Sequence, residues 1–175
     1  MKFVFPTAIA LGLAFRPCGD DDHPFLARLY ASTRWEEVAR TGWPVEMQAR
    51  FLAQQFDLQC RHYSDYYPNT ERLLLECDGV PIGRVYIDET AAAVNLVDIA
   101  LLPERRRRGI GRAVLADLLS QAAERGKPVI LYVEKNNPAR ALYDALGFAV
   151  VRDEGVYDLM ESPVRTQRPR FRPAP

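Results

Sequence analysis

The spacing of apolar positions along this chain changes several times, and each change marks an element. Ile9 to Arg16 reads as a first strand, closed by Pro17 and by the polar cluster Gly19-Asp20-Asp21-Asp22. That cluster can also cap a helix starting near His23. Along it Phe25, Leu26, Leu29 and Tyr30 recur at helical spacing. Gly42 and Pro44 break the chain, and a second helix is expected from about Val45, with Met47, Phe51, Leu52, Gln55, Phe56 and Leu58 supplying a partly apolar face. Arg61 to Thr70 is polar and aromatic.

Beyond Thr70 the pattern shortens to strands. Leu73 to Cys77 and Ile82 to Ile87 flank Asp78-Gly79-Val80-Pro81, which predicts two antiparallel strands around a tight turn. A third run, Val94 to Leu102, ends at Pro103, which cannot continue a ladder. The period then becomes helical: Ile110, Val114, Leu115, Leu118, Leu119 and Ala122 form one stripe, with Arg112, Asp117, Gln121 and Glu124 outside it. Gly126 and Pro128 stop that helix. Val129 to Val133 reads as a strand, Pro138 to Leu146 as a short helix ended by Gly147, and Phe148 to Val151 and Val156 to Met160 as the last strands. This order predicts an α/β (α+β) fold, with a mixed, mostly antiparallel central sheet of about six or seven strands flanked by about four helices. The expected organisation is a single domain over 9–161 and a Pro/Arg-rich, disordered tail over 163–175.

Composition narrows the function classes. The 175 residues are 48% hydrophobic and 26% charged, enough for one core. Twenty-three Lys plus Arg balance twenty-three Asp plus Glu, so no global field favours a nucleic acid or an acidic membrane, and neither is expected as a partner. The apolar runs fall short of the ~20 residues needed to span a bilayer. Met1 to Ala14 imitates a signal peptide, but Pro6 interrupts it and Arg16-Pro17 follows where small residues should mark cleavage. Cys18, Cys60 and Cys77 are odd in number and far apart, without metal-ligand spacing beside His23 and His62. Reduced thiols, a cytoplasmic location and no metal are therefore expected.

The chemistry concentrates where the third strand hands over to the long helix, at Pro103-Glu104-Arg105-Arg106-Arg107-Arg108-Gly109-Ile110-Gly111-Arg112. Unpaired N–H groups at a helix start, a positive dipole end and glycines that admit a ligand close to the main chain make a site for a pyrophosphate. The segment is neither a Walker loop nor GxGxxG. About thirty residues on runs Val133-Glu134-Lys135-Asn136-Asn137-Pro138-Ala139-Arg140-Ala141-Leu142-Tyr143-Asp144-Ala145-Leu146-Gly147-Phe148. Together the two segments resemble the GNAT superfamily of acyl-CoA-dependent N-acyltransferases, most strongly over Asp98 to Phe148. Arg106, Gly109 and Gly111 match its Gln/Arg-x-x-Gly-x-Gly/Ala pattern, and Asn136, Ala139, Leu142, Tyr143, Gly147 and Phe148 match its second motif.

The resemblance implies a GNAT-like fold and acetyl-CoA as co-substrate. It implies that the main chain of Ile99, Ala100 and Leu101 pairs with the pantetheine arm, that Arg106, Arg107, Arg108, Gly109, Ile110, Gly111 and Arg112 hold the pyrophosphate, and that Asn136 helps to hold the cofactor. Tyr143 matches the tyrosine that protonates the departing thiolate; packing against Ala139 and Leu146 is its bland alternative. The family's two usual glutamate-base positions carry Asn95 and Tyr132. Asp98 is then the catalytic carboxylate candidate, since burial in an apolar strand would raise its pKa, with a structural hydrogen bond as the alternative. Glu134 is a further candidate. Glu37 and Trp43 are expected to bind the acceptor, a small-molecule or peptide amine, within an aromatic-rich region from Trp35 to Tyr67 that can equally pack as core. These readings imply an N-acetyltransferase acting by direct attack, or alternatively a non-catalytic CoA-binding or protein-interaction module; a homodimer is open.

Overall fold

The computed structural model describes residues 2–164; of the tail expected over 163–175, all but Pro163 and Val164 lies outside them. In chain order the elements are α1 (Pro6–Ile9), β1 (Leu13–Pro17), α2 (His23–Ala39), α3 (Val45–Tyr66), β2 (Glu71–Cys77), β3 (Val80–Glu89), β4 (Val94–Leu101), α4 (Ile110–Glu124), β5 (Val129–Glu134), α5 (Arg140–Ala145), β6 (Ala149–Glu154) and β7 (Tyr157–Glu161). Seven strands form one sheet in the order β1-β2-β3-β4-β5-β7-β6. Every pairing is antiparallel except β4 with β5. The mixed, mostly antiparallel sheet expected from the hydrophobic pattern is the one observed.

Pairwise alternation along β3 sorts the sheet's two faces. Val85 and Ile87 join a core with Val114, Leu115 and Leu118 of α4, while Arg84 and Tyr86 turn the other way to meet Gln59 and Tyr63 of α3. The α4 side is apolar, and the α3 side is built from charged and aromatic groups. The β2–β3 turn is tighter than expected: Asp78 (φ 53) and Gly79 (φ 73) are consecutive left-handed residues, so two residues suffice and Val80 and Pro81 already belong to β3.

The chain before β1 departs most from expectation. The strand expected from Ile9 begins only at Leu13, and Pro6–Ile9 is a short helix. Ahead of the domain start expected at residue 9, Phe3, Phe5 and Ala8 are fully buried in the α4 core, and Phe5 stacks on Phe15 at 4.4 Å. Burying each phenylalanine contributes about 2–3 kcal/mol. Asp117, expected on the solvent side of α4, is instead buried and accepts from the N–H groups of Thr7 (2.9 Å) and Ala8 (3.1 Å), which the start of α1 would otherwise leave unpaired. Gln121 likewise accepts from Val4 N–H at 3.0 Å. The polar face of α4 therefore holds the leader-like segment in place. At the start of α2, Asp22 does not cap the helix; it accepts from Gly19 N–H (2.7 Å) and pairs with Arg16 (2.7 Å).

Candidate active site

The sheet parts in its middle. β4 and β5 pair only at Val94–Val129 and Asn95–Ile130, whereas β4 continues along β3 to Leu101. A bulge at Val97, between the Tyr86–Asp98 and Ile87–Leu96 pairs, bends β4 where the parting begins. The far end of the ladder decides which main-chain groups face the gap. Leu102 N–H donates to Ile82 O at 2.9 Å, so by two-residue alternation Ala100 and Asp98 also direct their polar groups to β3. Ile99 and Leu101 direct theirs into the gap. Of the three residues expected to offer main chain to a cofactor, Ile99 and Leu101 face the gap, and Ala100 is engaged by β3.

At the end of β4 the chain makes the turn that the basic, glycine-containing motif predicted. Arg107 (φ 56) and Gly109 (φ 81) are left-handed, and the first helical bond of α4 is Ala113 N–H to Gly109 O at 2.9 Å. The N–H groups of Ile110, Gly111 and Arg112 thus precede any intrahelical acceptor and point out of the 15-residue helix at its positive end. A Cβ at Gly109 would meet no atom within 4 Å, so space lies open above the turn; one at Gly111 would stand 3.4 Å from Leu142, where α4 and α5 pack closely. Arg106 differs from expectation. Its N–H donates to Pro103 O, and its guanidinium donates to Leu101 O (2.8 Å) and Ser32 O (3.5 Å), tying the end of β4 to α2 rather than facing the turn. Asn136 is exposed beyond β5, while its neighbour Asn137 shapes the turn into α5 by accepting from Ala139 N–H at 2.9 Å.

Tyr143 lies on the α4 side, 6% exposed, with its ring edge-on to Phe148 at 5.7 Å. Arg140, one turn earlier on α5, is bonded to buried Asp158 of β7, which fixes the helix against the sheet. No hydrogen-bond partner for the Tyr143 hydroxyl occurs among the described residues. Burial, reinforced by the nearby Asp98 charge, pushes its pKa up to about 12. The phenol therefore keeps its proton throughout the neutral range.

The carboxylates are less free than the pattern suggested. Asp98 does not sit in an apolar strand environment: it pairs with Arg84 at 2.5 Å, and that arginine side chain is 3% exposed. It also accepts from the Tyr63 hydroxyl at 3.4 Å. Glu134 accepts a two-pronged contact from Arg34 of α2, which holds its carboxyl below the usual range and ill suits it to take a proton. Asn95 donates to Asp88 at 3.2 Å, and Tyr132 accepts from Arg152 at 3.3 Å. Asp88, opposite Asn95 on β3, is a buried carboxylate that the motifs did not single out; the polar residue alternating with Tyr86 and Arg84 was the available signal.

On the α3 side a cleft of about 810 Å³ opens between α2, α3 and strands β4 and β5. Glu37, Phe51, Tyr63, Tyr67, Asn95 and Tyr132 are among its walls. Glu37, expected to bind the acceptor, is thus on the wall of this cleft. Trp43 does not line the cleft itself; its ring meets the lining residue Phe51 edge-on at 5.5 Å. No cluster of three or more His, Cys, Asp or Glu placed for a metal, and no helix long and apolar enough to cross a membrane, occurs among the described residues.

Comparison with known proteins agrees with this geometry. The PaiA N-acetyltransferase of Thermoplasma acidophilum, solved in complex with coenzyme A, has a similar fold (TM-score 0.64, 20% identity), covering 86% of this chain and 98% of that one. The [Ribosomal protein bS18]-alanine N-acetyltransferase of Haemophilus influenzae is 30% identical over 110 residues, 61% of this chain and 71% of that protein. A mycothiol acetyltransferase of Clavibacter sepedonicus is 36% identical over 77 residues, 43% of this chain, so the match spans only 24% of that longer relative. Residues 29–148 match the Acetyltransferase (GNAT) family. With both motifs, the parted β4–β5 pair and the open helix start within that span, the chain belongs to the GNAT acetyltransferase family.

Proposed function

We propose that this protein transfers an acetyl or other short acyl group from acyl-CoA to a primary amine by direct attack. The observation that carries this reading is the gap between β4 and β5 ending at the start of α4. The main-chain groups of Ile99 and the N–H of Leu101, whose carbonyl is taken by Arg106, suit the amides of a pantetheine arm, and the outward N–H groups of Ile110, Gly111 and Arg112 suit its pyrophosphate. Arg107, Arg108 and Gly109 complete the turn, and Arg106 acts by holding the end of β4. The fold neighbour solved with coenzyme A supports the same co-substrate.

Catalysis on this reading uses few groups. The amine attacks the thioester carbon from the α3 side, main-chain donors of β4 receive the oxyanion, and Tyr143 protonates the thiolate from the opposite side. Asp98, its charge balanced by Arg84, supports the site rather than taking a proton, and the amine's proton passes to water. The relatives named above act on a ribosomal protein or on mycothiol, which supports an amine acceptor without choosing between a peptide and a small molecule. The engagement of Glu134 by Arg34 and of Asp98 by Arg84 favours one rival, a CoA-binding module without turnover. Free-thiol release from acetyl-CoA across a panel of amines separates the two. Amine-dependent release is expected; release that ignores the amine, or none, overturns the proposal.

The acceptor wall yields a second expectation. Glu37 lines the cleft and is exposed, so Glu37→Gln should raise the KM for a cationic amine about threefold and leave the KM for acetyl-CoA unchanged. Trp43→Ala should act more weakly, through Phe51 alone. Equal changes in both KM values would place these residues outside the acceptor site.

A further inference from the structure

An ion pair buried beneath the site is energetically unusual. Arg84 has its side chain 3% exposed among aromatic rings, 5.1 Å from the Tyr86 ring centre and 6.0 Å from that of Phe56, and among the described residues it pairs with one carboxylate, Asp98. Its Nε lacks a hydrogen-bond partner among the described residues, and one Nη is shared between Asp98 (2.5 Å) and Gln59 (2.8 Å). A buried pair of this kind is no more stabilising than well-packed apolar side chains would be. What it does achieve is to fix one Asp98 oxygen at the underside of β4, immediately before Ile99, whose main chain faces the gap.

That same oxygen receives the Tyr63 hydroxyl proton at 3.4 Å. Tyr63 lines the acceptor cleft, and its ring is steadied edge-on by Tyr86 (6.1 Å) and Tyr67 (6.4 Å). A phenol whose proton is committed to a carboxylate has only acceptor capacity left. Burial and the Asp98 charge both push the Tyr63 pKa up, which keeps the phenol intact. Resting on the acyltransfer reading above, we propose that Tyr63 binds the acceptor, accepting a hydrogen bond from the N–H of the attacking amine, and that Asp98 and Arg84 are positioning residues that set the direction of its hydroxyl. Tyr63 and Tyr143 then flank the thioester from opposite faces of the parted sheet, one as acceptor toward the incoming nitrogen and the other as donor toward the departing sulfur. The network selects acceptors with an N–H to donate, and it discriminates against nucleophiles that present only lone pairs.

The test is a mutant cycle read by amine-dependent thiol release, with acetyl-CoA binding and thermal unfolding measured beside it. Tyr63→Phe keeps the ring and removes the oxygen, so kcat/KM for the amine should fall about tenfold while acetyl-CoA affinity and the unfolding midpoint hold. Asp98→Ala removes the oxygen that takes the hydroxyl proton, so the phenol is free to turn that proton toward the amine, and activity should fall. The Tyr63→Phe/Asp98→Ala double variant should lose no more than the worse single one. Unchanged amine kinetics in Tyr63→Phe overturns the role of Tyr63, even if Asp98→Ala fails to fold. Losses that multiply in the double variant overturn the positioning role of Asp98. If the parent protein shows no amine-dependent release, the acyltransfer reading fails first and takes this proposal with it.

Discussion

Gly109→Asp should weaken acetyl-CoA binding at least a hundredfold. Two effects act together at this position. The residue sits at φ 81 as the cap of α4, where a side chain costs on the order of 1 kcal/mol of backbone strain. The open space above it is the space in which the N–H groups of Ile110 to Arg112 would meet a diphosphate, so a carboxylate there also repels the ligand at short range. Gly109→Asn separates the contributions. Asparagine has nearly the same shape and tolerates the left-handed region, so it shares most of the bulk and strain and lacks the charge. Calorimetry should give the order glycine, asparagine, aspartate, with the larger gap between the last two. If the aspartate variant binds as tightly as the parent, the turn does not hold the pyrophosphate.

The second large effect is expected at Tyr143. Tyr143→Phe retains the edge-on contact with Phe148 and removes only the donor, so kcat should fall about 10²-fold with little change in acetyl-CoA affinity. Because the phenol's pKa is pushed up to about 12, its proton is present at every pH below that value and is lost only above it. The rate deficit of the phenylalanine variant should therefore be nearly constant between about pH 6 and 10, a range below the raised pKa. It should shrink for acyl thioesters whose thiols are more acidic, since those leave without a proton. Parental turnover in the variant would reduce Tyr143 to packing.

The parts of this protein that could be read from its residues are those whose cause is local. The period change at Pro103, the paired glycines at 109 and 111, and the apolar stripe of α4 each act within one or two turns, and the strand, turn and helix formed there follow the pattern closely. Asp117 could not be read in this way. Its position on the helix says solvent, and what buries it is a backbone segment 110 residues earlier. Asp98 was legible as a charged residue in an apolar strand, but the sign of its environment depends on Arg84, which reaches it only because β3 and β4 pair around a bulge at Val97. Arg106 and Ala100 show the remaining limit. A motif marks that a segment matters, while the direction in which each N–H or guanidinium points is decided by the neighbouring strand.

The packing of residues 3–8 against α4 also has a consequence for the order of events in folding. Thr7 and Ala8 find their hydrogen-bond acceptor in Asp117, and Val4 finds its own in Gln121, 117 residues further along the chain. These contacts have a high sequence separation and require a long loop to close before they return any energy. Until α4 is seated on the sheet, Phe3 and Phe5 lack that part of their burial, although Phe5 can already meet Phe15 of β1. During that interval the segment is an apolar, nearly uncharged stretch open to chaperones or to other unfolded chains. Docking of this segment is expected late in assembly, and slow formation of the native state is expected to trace to it.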